Sequence, residues 1–217
     1  MVERTVVDRY LRRLGGWLPG TRIGRVRWPR PFPERPWPWH LWWQAHLLDC
    51  LLDAQRRDPS SARAATIRAL LRGIRVRNAG RWTNWYHDDI AWLGLAVERA
   101  GPLAEPQRRT ALRVITDQLL TAWSSDGGGI WWRKGDDYKN AAANGPAAIL
   151  LARLGFVREA ARIADWMAAT LVDPRTGLVC DGVRTDALGR LRSVNATVYT
   201  YCQGVYLGAC GELAAGD

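Results

Sequence analysis

Two helical signatures take turns along this chain. From Trp37 to Arg57, the residues Trp39, Trp42, Trp43, His46, Leu47, Cys50, Leu51 and Ala54 recur at spacings of three and four, a face wide enough to predict a well-buried helix. After Pro59 and Ser60, residues 61–77 place Ile67, Leu70, Leu71 and Ile74 on one side and Arg63, Arg68, Arg72 and Arg75 largely on the other, which predicts an amphipathic helix. The same alternation repeats. A mostly apolar helix starts near Tyr86 and stops at Gly101-Pro102, and residues 106–123 follow with Leu112, Ile115, Leu119 and Trp123 on one stripe. A third apolar helix over roughly Tyr138 to Leu154 precedes an amphipathic one from Val157 to Leu171, and a seventh helix runs from about Thr197 to Ala214. Gly127 to Gly129 break the pattern ahead of a short extended piece at Ile130–Trp132. The stretch near 175–195 reads as a small β-hairpin with Asp186 to Gly189 as its turn.

Apolar helices alternating with helices that confine their apolar residues to one stripe are what stacked helical hairpins give, with one layer inside and the other outside. The expected fold is therefore all-α. Residues 1–35, a short amphipathic stretch followed by Gly- and Pro-rich sequence, read as an N-terminal arm, and 36–217 as the helical domain. Unusual polar residues gather at or near the starts of the apolar helices: Trp43 and Gln44, then Tyr86 to Asp89, then Lys139, Asn140 and Asn144, then Tyr199, Tyr201 and Gln203. Inner helices running the same way would bring these groups to one mouth. Each group also has a plainer reading. Lys139, Asn140 and Asn144 fit ordinary first-turn positions, Asp136 and Asp137 fit caps, and spacing by two on a helix leaves at least one of Tyr199, Tyr201 and Gln203 for packing.

The stretch NWYHDDIAW, Asn84 to Trp92, carries the candidate chemistry. Two adjacent carboxylates in a first helical turn can both look out of one helix end, and a retaining glycosidase needs two carboxyls about 5 Å apart. At that range they resist simultaneous ionisation, so one becomes a proton donor and the other a nucleophile. The same two residues also fit an N-cap and a first-turn acid that favours the helix dipole.

Composition sharpens this picture. Thirteen Trp stand against two Phe in 217 residues, and a broad ring with an N–H can both stack on a flat ligand and hydrogen-bond. Trp43, Trp85, Tyr86 and Trp132 are accordingly expected to supply stacking surface for sugar rings. A net charge of +10 would favour an anionic partner, but Arg is spread over the predicted outer faces, with two Lys and no run of five like charges, which argues against nucleic acid. The first twenty residues hold Glu3, Arg4, Asp8, Arg9, Arg12 and Arg13, so no signal-peptide core is read there. No apolar run is long enough to span a membrane, and a cytoplasmic location is expected. Cys50, Cys180, Cys202 and Cys210 lack metal spacing and read as buried thiols; with three scattered His, no metal or other cofactor is implied.

NWYHDDIAWLGLA, GGGIWW, YKNAAANGPAAILLARL and YTYCQGVYLGA, in that order, together with WHLWWQAHLLD, resemble glycoside hydrolase family 76, the endo-α-1,6-mannanases, over about residues 37–214. The resemblance implies an (α/α)6 barrel and retaining hydrolysis of α-1,6-linked mannan or manno-oligosaccharides, with Asp88 as nucleophile and Asp89 as general acid/base. The expected substrate-binding residues are Trp43, Gln44, Trp85, Tyr86, Trp132, Asn140, Asn144, Tyr201 and Gln203. His87 departs from the family, which commonly has a second Tyr there, and Cys202 stands where YNQG is usual. Twelve helices make such a barrel and about seven are legible here, so the domain is expected to be incomplete at its C-terminus, with an open apolar flank that favours self-association. The alternatives are a noncatalytic carbohydrate-binding or scaffold protein derived from such an enzyme, and a helical-repeat module that uses its Arg-rich faces.

Overall fold

Caps and breakers in the sequence set the element boundaries. A computed structural model describes residues 2–29, 39–186 and 188–216. Helix α1 (Val2–Tyr10) leads into two short antiparallel strands, β1 (Leu11–Arg12) and β2 (Ile23–Gly24), with Leu11 opposite Gly24. Then come α2 (Leu41–Arg57), α3 (Ser61–Arg77), α4 (His87–Ala100), α5 (Arg108–Thr121), β3 (Tyr138–Asn140), α6 (Ala141–Arg153), α7 (Val157–Leu171), β4 (Gly182–Thr185), β5 (Leu191–Asn195) and α8 (Thr200–Ala214). The seven helices expected after the arm are α2 to α8. Residues 37 and 38, where the first was expected to start, the 35/36 boundary of the arm and Ala187 in the hairpin turn lie outside the described residues.

Ser60 opens α3 by accepting a hydrogen bond from the Arg63 N–H at 3.4 Å, satisfying one of the orphan donors of the first turn. Asn140 does the same for α6 by accepting from the Ala143 N–H at 3.1 Å. That cap corrects the expected start at Tyr138. Residues 138–140 are a strand, paired to β4 with Tyr138 opposite Arg184, so the expected hairpin is part of a three-stranded sheet ordered β3-β4-β5. Asp136 is not a helix cap either. Its carboxylate accepts from the N–H groups of Asp137 and Tyr138 at 2.8 and 3.2 Å, a turn that leads into β3.

Contacts divide the chain into two units, residues 1–82 with 96–111, and 83–95 with 112–217. In the first unit α2 and α3 form a hairpin, and β2 lies against both. A Cβ at Gly73 would sit 1.9 Å from the Arg22 carbonyl oxygen, so only glycine lets α3 approach the backbone just ahead of β2 this closely. Glu3 pairs with Arg63, and Arg99 with Asp49 and Asp53. Along α3, Ile67, Leu70, Leu71 and Ile74 are buried while Arg68, Arg72 and Arg75 are exposed, as the pattern predicted.

In the second unit, α6 packs against both α7 and α8, which also touch each other. Buried residues run round α6 from Ala141 to Leu151, whereas α7 buries one stripe, Ala160, Ile163, Ala164, Met167 and Leu171, with Trp166 beside it. Gly145 makes the α6–α8 approach possible, because a Cβ there would lie 2.5 Å from Val205. Helix α8 departs from the expected all-round burial. It buries Cys202, Val205 and Ala209 and leaves Leu207 68% exposed. Two of the thiols read as buried, Cys50 and Cys210, are also exposed. No helix among the described residues is long and apolar enough to cross a membrane.

Candidate active site

The acidic pair lies in the first turn of α4. Asn84, just ahead of it, organises the entry. Its Oδ1 accepts from the Tyr86 N–H at 2.9 Å, its Nδ2 donates to Asp89 Oδ2 at 2.6 Å, and its own carbonyl accepts from Gln118 Nε2 at 2.8 Å. Asp88 uses both oxygens: Oδ1 accepts from the Asp89 N–H at 2.9 Å, and Oδ2 from the Trp132 indole N–H at 3.0 Å. Asp89 is buried and Asp88 half-buried.

Burial pushes the Asp88 carboxyl above the usual carboxylate range, against the pull of Trp132 and of the Asp89 and Asp88 backbone N–H groups. The sequence suggested that repulsion between the two acids would raise one of them. Desolvation is the main cause instead. A carboxylate deprived of water is less stabilised than a solvated one, and so more reactive wherever it stays ionised.

Trp132 comes from the extended segment after the Gly127–Gly129 turn, and that segment is held hard. Asn144 accepts from Ile130 N–H at 2.8 Å and donates to the Ile130 carbonyl at 2.9 Å. Lys139, fully buried, donates to the carbonyls of Asp126 (3.0 Å) and Gly128 (2.5 Å) and lies 4.2 Å from the Trp131 ring centroid. Burial pushes this ammonium down to about 8. The indole N–H of Trp166 reaches the Gly127 carbonyl at 2.9 Å.

Around Trp132 the aromatic residues meet edge to face, Tyr86 at 5.3 Å and Tyr138 at 6.3 Å between centroids. Tyr138 leads on to Asp181, a residue the sequence reading missed. Its carboxylate accepts from Tyr138 Oη and Tyr201 Oη, both at 2.5 Å, and from Asn195 Nδ2 at 3.0 Å. Burial and the Asp181 carboxylate hold both phenols well above their usual range, so they remain donors. Tyr199 stacks on Tyr201 at 5.6 Å, and both are exposed. One continuous wall thus runs Asp89, Asp88, Trp132, Tyr138, Asp181, Tyr201, with Tyr86 beside it. Asp181 sits in a Cys-Asp-Gly turn signal, and no sequence spacing links it to Tyr138 and Tyr201, 43 and 20 residues away.

Of the expected sugar contacts, Tyr86, Trp132 and Tyr201 lie on this wall. Trp85 is 68% exposed, its carbonyl bonded to the Lys134 N–H at 2.9 Å. Trp43 belongs to the first unit, exposed and packed against His40 and Trp42. The amides turn to backbone. Gln44 is buried and spends its side chain on the N–H and C=O of Gly24 (2.7 and 3.0 Å), and Gln203 does the same for Val179 (2.8 and 2.9 Å). Asn144 does so for Ile130, and Asn140 is the α6 cap. A carboxamide can match the donor and acceptor of a peptide group, and Gln44, Asn144 and Gln203 each do so, whereas Asn140 uses its Oδ1 alone in the cap.

Comparisons with known proteins decide the family. The sequence profile of glycosyl hydrolase family 76 matches residues 3–215. This chain belongs to that family. Three curated relatives are yeast mannan endo-1,6-α-mannosidases DCW1. The Candida glabrata protein is 31% identical over 150 residues, 58% of this chain and 33% of its own length, and the Saccharomyces cerevisiae one is 30% identical over the same shares. Among solved structures, the family 76 α-1,6-mannanase GH76A of Salegentibacter sp. HEL1_6 superposes with a TM-score of 0.84 at 30% identity, over 100% of this chain and 64% of that one. An inactive variant of the same mannanase, with two aspartates replaced by asparagine, is in complex with α-1,6-mannotriose and superposes at 0.83 and 29% identity. The family 76 chain described here therefore spans a third of the length of those curated relatives and under two thirds of that solved one. Its helical hairpins are of the α/α-barrel type of the family. Among the described residues, no group of three or more His, Cys, Asp and Glu side chains is placed to hold a metal ion.

Proposed function

We propose that this chain hydrolyses α-1,6-linked mannan or manno-oligosaccharides with retention at the anomeric carbon. The observation that carries this reading is the Asp88–Asp89 pair at the head of α4, with the Trp132 indole on Asp88 and Asn84 on Asp89. Family membership supports it, as does the inactive Salegentibacter mannanase variant that lacks two aspartates and holds mannotriose. In this mechanism Asp88 attacks the anomeric carbon as Asp89 gives its proton to the departing glycosidic oxygen. The resulting mannosyl ester on Asp88 is then opened by water, whose proton returns to Asp89. Two inversions give net retention.

Incubation with α-1,6-manno-oligosaccharides should yield shorter products, and NMR of the first-formed product should show the α-anomer. Binding without turnover would instead mark a noncatalytic carbohydrate-binding protein. Trp85, exposed beside the pair, is read as a stacking surface. Trp85→Ala should weaken oligosaccharide binding about tenfold, with a melting temperature shifted by no more than about 2 °C. A large loss of stability at unchanged affinity would make Trp85 a packing residue.

The apolar side of α8, with Leu207 outward, also supports self-association. Sedimentation should show a mass that rises with concentration in the native chain and less so in Leu207→Lys. A native chain monomeric at every concentration removes this part of the reading.

A further inference from the structure

His87 occupies the first position of α4 and is 3% exposed, yet it touches neither carboxylate in any described hydrogen bond. Its contacts run to the neighbouring segment. The backbone N–H, an orphan donor of the first helical turn, donates to the Trp132 carbonyl at 2.8 Å. The ring Nδ1 lies 2.6 Å from the Trp131 carbonyl oxygen, which can only accept, so Nδ1 carries the proton. One residue therefore fixes two successive carbonyls of the strand that bears Trp132. On that strand's other side the Trp132 N–H donates to the Tyr138 carbonyl at 2.8 Å.

We infer that His87 is a positioning residue: it docks the Trp131–Trp132 segment on the start of α4 and so holds the Trp132 indole N–H against Asp88. The inference rests on the reading of Asp88 as nucleophile, and it adds a residue that acts on Asp88 at one remove. An aromatic ring without a donor at position 87 could fill the same space, but it would leave the Trp131 carbonyl unpaired in a buried place, which favours displacement of the segment. The indole would move with it. Asp88 would then lose the side-chain hydrogen bond that counters its burial. The charged groups near this junction are Asp88 and Asp89 on α4, Lys134 on the extended segment, and Arg133, whose guanidinium lies 5.7 Å from the Trp132 ring and 5.8 Å from Tyr86. Burial holds the imidazole below its usual range and so favours its neutral form.

The test needs no turnover. In the full chain labelled with 15N-tryptophan, the Trp132 indole signal is the one missing from Trp132→Phe, and its dependence on pH reports Asp88 if Asp88→Asn abolishes it. In His87→Phe the midpoint should rise by about 0.4–1 pH unit, the equivalent of one hydrogen bond, or the signal should cease to follow Asp88. His87→Asn, whose amide N–H can stand in for Nδ1, should restore the native midpoint. If His87→Phe does not fold, His87→Ala, which adds no bulk, is read in its place. The acid limb of kcat/KM should move by the same amount. An unchanged midpoint in a folded His87→Phe or His87→Ala chain overturns the inference, whatever its melting temperature. Absence of any mannan hydrolysis by the native chain, with the indole titration behaving as described, sinks the proposed function and leaves the positioning role standing.

Discussion

Asp88→Ala is expected to abolish turnover of every α-mannoside, because no covalent intermediate can form without that carboxylate. Asp89→Ala should fail differently. On a natural mannoside, whose leaving oxygen needs a proton, the loss should be about 10²–10⁴-fold. On an activated aryl mannoside the first step should be nearly intact, and added azide should capture the mannosyl ester. If Asp88→Ala were rescued by the activated leaving group and Asp89→Ala were dead on all substrates, the two roles would be exchanged. The raised Asp88 carboxyl adds a dependence on pH. Attack requires the ionised form, so the acid limb of kcat/KM should lie above the ordinary aspartate value of about 3.9. The stability effect has the opposite sense. A carboxyl whose folded value lies above its unfolded value binds more protons in the folded chain between the two, so its contribution to stability is lost as pH rises through that window. Asp88→Asn removes this titration, and its melting temperature relative to the native chain should rise between acid and neutral pH.

The largest loss of stability is expected from Asn144→Leu. The two side chains share a branched outline of four heavy atoms and Leu is the bulkier, so no cavity forms. What goes is three hydrogen bonds in a place with no solvent, to the Ile130 N–H and C=O and to the Asn140 carbonyl at 2.8 Å. Buried backbone groups left unpaired cost about 1–3 kcal/mol each, so a total of about 3–5 kcal/mol is expected, allowing for partial relaxation. Urea unfolding should report it. The segment that carries Trp132 starts at Ile130, so activity per folded molecule should fall as well. A change below about 1 kcal/mol would mean the Ile130 groups find other partners.

Much of the fold is legible because burial imposes a period. The wide stripe predicted α2, the Arg-faced stripe α3, and the boundaries of α3 and α7 agree with the pattern to the residue. The catalytic candidate is legible for another reason: two acids in aromatic company are costly unless used. The polar residues around it were harder. Asn140, Asn144, Gln44 and Gln203 look like ligands for hydroxyl groups, and nothing in their types says that each will turn to backbone. In the Gln44, Asn144 and Gln203 pairs the partner lies 14 to 24 residues away. Lys139 misled for the same reason, since a lysine at a helix start is ordinarily solvated and this one is spent on two carbonyls. Asp181 was passed over because Asp-Gly between strands is also a turn signal, and its donors come from β3, β5 and α8. Periodicity reports what a residue does to water, and it is silent about which distant backbone group a polar side chain will meet.

The carboxamide pairs also bear on how such a wall can change. Asn144 reads the peptide group of Ile130 and takes no account of its side chain, so the segment it holds is anchored by something every amino acid except proline can supply. The backbone anchor of this segment therefore does not depend on the exposed side chains of Arg133 and Lys134. Under the proposed function, substitutions there would alter which sugar face the wall accepts while the main chain keeps its course, so a lineage could revise the substrate of this site one residue at a time.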